Sequence, residues 1–186
     1  MPLTPDTPFQ RALVIGCSGA GKSTFARQLG VATGLPVTHI DQLFWEPGWG
    51  QTPDDIHRAR LAAVVAQDRW IIDGTNSSTF DMRMARTDAV FWIDRPRIVC
   101  IARVLRRVAS SYGRVRPDMA PGCPERFDWE FLKYVWNFQV VYDPRIHAAL
   151  ERYGLQQRSV RLTSDVASAQ FLRRLTPTAA TAGHLP

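Results

Sequence analysis

The chain has 186 residues, of which 45% are apolar, 22% charged and 10% aromatic, a mixture that excludes a fibrous repeat or a wholly disordered chain and fits one globular domain. A chain of this size buries roughly 70% of its unfolded surface on folding, so it needs neither disulfides nor a structural metal. Cys17, Cys100 and Cys123 are odd in number and lack the close pairing of a zinc site, and no run of about 18 apolar residues offers a membrane span.

The net charge of +6 suggests an anionic partner such as nucleic acid, a phosphorylated metabolite or a membrane surface, and all Lys and Arg positions except Lys22 and Lys133 are arginine, whose planar fork suits bidentate phosphate contacts. Arg95, Arg97, Arg103, Arg106, Arg107, Arg114 and Arg116 follow one another with no acidic residue between them, which marks this segment as the anion-facing one. The opening MPLTPDTPFQ has no positive-then-apolar signal pattern and reads as a Pro-rich lead-in over residues 1–10. With free thiols, this gives a cytoplasmic expectation.

Along the chain, RALVIG (11–16) is a short apolar run ending in glycine, followed by a helical pattern from Lys22 to Thr33 with Phe25, Leu29 and Ala32 on one face. Val37 to Ile40 is a second strand leading to Asp41 and an aromatic loop, LFWEPGW (43–49). Thr52 and Pro53 read as an N-cap and a first-turn proline, opening a helix to Asp68. Trp70 to Asp73 is a third strand, a short helical piece follows Ser77 or Ser78, and DAVFWID (88–94) is a fourth, apolar throughout as strands buried on both faces are. Pro96 starts the next helix. Residues 112–127, rich in Gly, Pro and Arg, form a long irregular segment of the kind that serves as a lid. Asp128 caps a helix to Tyr153, Gln157 to Thr163 is a fifth strand, and Ser164 or Asp165 caps a last helix ending near Leu175. Residues 176–186 read as a disordered tail. Strands alternating with helices at this spacing give an α/β domain over 11–175, a mostly parallel sheet covered on both faces.

The chemistry starts at GCSGAGKS (16–23), which satisfies G-x-x-x-x-G-K-[ST] between a strand and a helix, the context this motif requires. Its glycines let the backbone of Gly16, Cys17, Ser18, Gly19, Ala20, Gly21, Lys22, Ser23 and Thr24 curl round phosphates at a helix N-terminus. The Lys22 ammonium reaches the outer phosphates and the Ser23 hydroxyl serves Mg²⁺. Asp73, at the carboxyl end of the third strand, holds Mg²⁺ through water or is a turn aspartate beside Gly74. No glutamate follows Asp73 and no N-K-x-D guanine signature exists, so transfer to an acceptor is favoured over hydrolysis and GTPase activity. Asp41 either orients and deprotonates an acceptor hydroxyl or caps a turn, and His39 faces the same side of its strand as a member of a polar network.

Phe44, Trp45 and Trp49 form either an acceptor wall or a patch under the next helix; Thr75, Asn76, Ser77 and Ser78 offer hydroxyl and amide groups, or caps. Arg103, Arg106 and Arg107 share a helix face, and Arg114 and Arg116 in the lid can neutralise a transferring phosphoryl group; a solvated basic face is the alternative for both sets.

GCSGAGKST, HIDQLFWEPGW, WIIDGTN, DRP and RPDMAPGCPERFDWEFLKYVWNF together resemble the topology modulation proteins, a bacterial family of adenylate-kinase-like P-loop proteins, over residues 11–175. The resemblance implies a nucleoside-monophosphate-kinase-like three-layer fold with a five-stranded parallel sheet, an acceptor region after the second strand and an arginine-bearing lid. Adenylate kinases read DGFPR where this chain has DGTN, so their acceptor-side arginine is absent and adenosine monophosphate is not carried over as the acceptor. The expectation is a monomeric phosphotransferase that uses ATP and Mg²⁺ on a small acceptor, with Lys22, Asp41, Arg106, Arg107, Arg114 and Arg116 in catalytic roles. The alternatives are a nucleotide-binding protein that contacts DNA, and ATP hydrolysis or sensing without an acceptor.

Overall fold

A computed structural model describes residues 3–175. The expected tail at 176–186 lies outside the described residues. Five strands, β1 (Arg11–Gly16), β2 (Val37–His39), β5 (Trp70–Asp73), β6 (Ala89–Ile93) and β7 (Ser159–Leu162), form one parallel sheet in the order β2-β5-β1-β6-β7. The apolar runs explain it: β5 and β6 are buried at every position and β1 at all but the first, so each needs cover on both faces. That cover comes from α1 (Lys22–Thr33) packed with α7 (Asp165–Arg174), and α5 (Arg97–Ser111) packed with α6 (Trp129–Arg152). The α/β fold with five parallel strands is the one the sequence implied.

At the centre of the core Phe91 on β6 meets Phe9, Phe25 and Phe171 at ring-centroid distances of 5.5, 5.4 and 5.3 Å. The described part of the lead-in is packed, with Leu3 and Phe9 against the core. Asp88, just before β6, accepts from the backbone N–H of Gln10 and Arg11 and from the Arg11 guanidinium, fixing the start of β1.

Several boundaries differ from expectation. β2 ends at His39 because Ile40 opens the short helix α2 (Ile40–Phe44), and Asp41 therefore lies in a first helical turn, where a carboxylate suits the helix dipole. His39 and Asp41 do not share one strand face. The aromatic loop contains a hairpin of β3 (Trp45–Glu46) and β4 (Gly50–Gln51). The Thr52 hydroxyl donates to Leu43 O and Glu46 instead of capping, so Pro53 is the N-cap of α3 (Asp54–Val65). Ser77–Thr79 is one 3₁₀ turn, leading into α4 (Phe80–Met84). Asp128 and Ser164 cap α6 and α7 through Phe131 N and Ala167 N. Residues 112–127 contain no helix or strand beyond one bridge between Tyr112 and Glu125.

Phe91 is 0% exposed, and truncating a fully buried ring removes apolar burial and leaves a cavity. Phe91→Ala is expected to cost about 3–5 kcal/mol in urea unfolding at pH 7.

Candidate active site

The carboxyl ends of β1, β2 and β5 and the N-terminus of α1 meet at one edge of the sheet, where ligands of open parallel sheets bind. Residues 16–23 turn there around an inward-facing backbone. Gly19 sits at φ 82°, and a Cβ on it would lie 2.4 Å from Cys100 O, so only glycine passes beneath α5. The Thr75 hydroxyl accepts from Gly16 N at 2.9 Å and donates to Gly16 O at 2.7 Å, which ties the chain after β5 to the start of the loop. Lys22 Nζ folds back onto Cys17 O at 2.9 Å.

In front of the loop is a cavity of about 800 Å³. Ser18, Gly19, Gly21, Lys22, Ser23 and Thr24 line it, while Gly16, Cys17 and Ala20 are buried behind. Asp73 is 4% exposed; its Oδ2 meets His39 Nδ1 at 2.7 Å, and its Oδ1 has no hydrogen-bond partner. His39 is thus the polar-network residue expected. An orphaned carboxylate oxygen in the cavity that Ser23 also lines fits a cation that arrives on phosphates and keeps its waters, and a glycine-rich turn at a helix N-terminus fits the phosphates.

Asp41 is exposed into the cavity, but the surrounding protein displaces enough water to raise its carboxyl above the ordinary carboxylate range. Asp73 and Asp118 add to the rise, while Lys22 and Arg116 oppose it. The opposite wall comes from the lid. Glu125, 4% exposed, pairs with Arg107 Nε at 3.1 Å and Arg116 Nε at 2.6 Å, and Arg116 Nη1 also reaches Asp118 Oδ2 at 2.7 Å. Burial works to raise the Asp118 carboxyl, yet Arg116, its own backbone, the Ser23 hydroxyl and His39 together hold it below the ordinary range. For Arg107, burial and then repulsion from Arg116 pull the guanidinium below its usual value.

No family model matches the chain, and no curated protein matches it either. Among solved structures it is similar to a gluconokinase from Sinorhizobium meliloti 1021, with TM-score 0.55, 19% identity and 89% of each chain covered. It is also similar to a shikimate kinase from Acinetobacter baumannii in complex with shikimate, with TM-score 0.52 and 14% identity over 89% of this chain and 90% of that one. A sugar kinase from Janibacter sp. HTCC2649 follows, with TM-score 0.50 and 19% identity over 90% and 92%. The chain has a P-loop kinase fold.

Within this P-loop kinase fold the cavity gathers Lys22, Ser23, Asp41, Asp73, Arg107 and Arg116. It does not gather Arg106 or Arg114. Arg103 and Arg107, four apart, face the cavity, whereas Arg106 is turned to solvent outside its lining. Arg114 is exposed and contributes backbone only, its carbonyl accepting from Glu125 N at 2.9 Å. The arginine segment is therefore not uniformly anion-facing. Arg95 is buried, donating to Asp94 O, Leu162 O, Asp165 and Ser168, and Arg97 lies over the Trp136 ring. Phe44, Trp45 and Trp49 all line the cavity.

Sequence reasoning missed the acids in the lid, Asp118 and Glu125, although two carboxylates within a basic loop were a readable sign of internal ion pairs. It also missed Arg83 on α4, which carries no sequence signal. Arg83 is 0% exposed; Nη1 donates to Gly74 O at 2.7 Å and Nη2 to Thr75 O and Asn76 O, both at 2.8 Å. Burial pulls its pKa down to about 9, still high enough to keep the charge at neutral pH.

A buried acceptor left without its donor costs roughly 1–3 kcal/mol, so Arg83→Leu is expected to lose about 3 kcal/mol or more in thermal unfolding. Arg83→Lys should recover part of that loss, and wild-type stability in the leucine variant would contradict the role given to the guanidinium.

Proposed function

We propose that the chain is an ATP-dependent phosphotransferase acting on a small hydroxyl-bearing acceptor. The observation that carries the proposal is one cavity holding the Lys22 loop, the Asp41 carboxyl, Arg107 of α5 and the lid arginine Arg116. The similar structures add support in kind, since a gluconokinase, a shikimate kinase and a sugar kinase are named for small-molecule acceptors. The resemblance of the sequence motifs to those of the topology modulation proteins is compatible with this reaction, and three buried free thiols suit a reducing, cytoplasmic setting.

In this reading the cavity-lining part of the loop, from Ser18 to Thr24, binds the triphosphate through backbone N–H groups, and Lys22 leaves Cys17 O for the outer phosphates. Mg²⁺, held by Ser23 and through water by Asp73, would neutralise phosphate charge. His39 keeps the Asp73 carboxylate aimed. Arg107 and Arg116 exchange part of their pairing with Glu125 for the transferring group, where charge spreads during transfer. Asp41 orients the acceptor hydroxyl and takes its proton, and Asn76, Ser77 and Ser78 offer polar contacts along the same wall. Positioning and electrostatics supply nearly all of the catalysis.

The test is ADP release from Mg·ATP against a panel of nucleosides, nucleoside monophosphates and hydroxylated metabolites. Acceptor-dependent release that falls about 10²–10³-fold in Lys22→Ala is expected; undiminished release in that variant would contradict the assignment. The base works only when ionised, so the rate should fall as pH drops through the raised pKa of Asp41. The acid limb of the pH–rate profile is expected above the ordinary aspartate value of about 3.9. Asp41→Asn should lose that limb along with a roughly 10²–10⁴-fold share of kcat.

A further inference from the structure

Trp49, at φ 67°, is the one residue other than glycine in the left-handed region among the described residues. A bulky side chain there is strained, and such strain persists only where surrounding contacts outweigh it. Those contacts come from the lid. Trp49 Nε1 donates to Pro124 O at 3.1 Å, and its ring meets the Trp45 ring at 5.4 Å with the Arg126 guanidinium 5.3 Å from its centroid. Beside it Gly48 N donates to Gly122 O at 2.8 Å, Cys123 Sγ to Glu46 O at 3.1 Å, and Gln42 Nε2 to Pro117 O at 2.8 Å.

Met119, Ala120 and Cys123 of the lid form a small apolar cluster, separate from the main core, covered by Trp45 and Trp49. Gly122, at φ 76°, permits the approach: a Cβ there would lie 2.8 Å from Pro47 Cβ. Hairpin and lid are thus joined by a backbone hydrogen bond, side-chain bonds and an apolar core of their own.

We infer that Trp49 is a positioning residue that clamps the β3–β4 hairpin to the lid, so that the acceptor wall and the arginine-bearing wall open and close as one body. The consequence rests on the kinase reading only for what the two walls enclose. One gate then admits both substrates, and Arg116 is in place over the loop only when Trp45 and Trp49 are in place around the acceptor. Water is excluded from both sides in a single movement, which favours transfer to the acceptor over hydrolysis.

The coupling is readable without any ligand, by amide hydrogen exchange of the full chain in sub-denaturing urea. Gly48 N–H reports the hairpin, bonded to Gly122 O; Glu125 N–H reports the lid base, bonded to Arg114 O. In the wild type both amides should follow one opening curve with one urea dependence. Trp49→Phe, which keeps a ring and loses the N–H, should speed both by the same factor of about ten, as the loss of one ordinary hydrogen bond does.

Gly122→Ala, which disturbs the clamp from the lid side, should speed both together in the same way. A purely local role for Trp49 would speed Gly48 and leave Glu125 unchanged. Separate opening curves in the wild type, or an unmoved partner amide in either variant, would overturn the inference. A failure of phosphotransfer would overturn the kinase reading and leave this result standing.

Discussion

Between β1 and α1 the chain leaves a strand buried on both faces, turns beneath the backbone of Cys100 and enters a helix. Room for that turn exists because Gly19 has no side chain to meet the Cys100 carbonyl. The rest of the site is built outward from it. Thr75 holds the turn to the end of β5 through two hydrogen bonds on Gly16, and Arg83 holds the carbonyls of Gly74, Thr75 and Asn76 from below. The loop after β1 and the chain after β5 are therefore parts of one buried polar network, and displacing either would strand carbonyls in the core.

Two of the arginines that line the cavity are paired with carboxylates of its own wall. Glu125 and Asp118 neutralise Arg107 of α5 and Arg116 of the lid, so the two guanidinium groups can be held half-buried without a phosphate between them. Under the proposed function a triphosphate would bring its own negative charge, and exchange of partners would let the arginines follow it with little reorganisation. Asp41 is the counterpart: crowded by Asp73 and Asp118 and short of water, its carboxyl is a stronger base than a surface aspartate. One device lowers the cost of bringing cations together, and the other raises the basicity of the group that faces the acceptor.

The sheet was legible because every strand in it is either a continuous apolar run or sits directly beside one, and the phosphate loop because its motif lay between a strand and a helix. Boundaries failed where a side chain had a second use. Thr52 looks like a cap but serves the hairpin, and Asp41 looks like the end of a strand but begins a helix. Helical spacing placed Arg103 and Arg107 on a common face correctly and wrongly added Arg106, which turns to solvent. Arg83 was invisible because an arginine in a short helix ordinarily points outward; only the carbonyls of the turn after β5 explain its burial. Trp49 read as an apolar wall residue, and its role in joining two loops far apart in sequence depends on contacts that no local pattern encodes.

The destination of the phosphoryl group is best followed by an isotopic label. ATP labelled with ¹⁸O at the γ-phosphate, incubated with Mg²⁺, the protein and a pool of small hydroxylated metabolites, is analysed by mass spectrometry of the products. The account expects the label chiefly in one organic phosphate ester, whose mass names the acceptor, with little in inorganic phosphate. Label found only in inorganic phosphate, at the same rate with and without the metabolite pool, would contradict it.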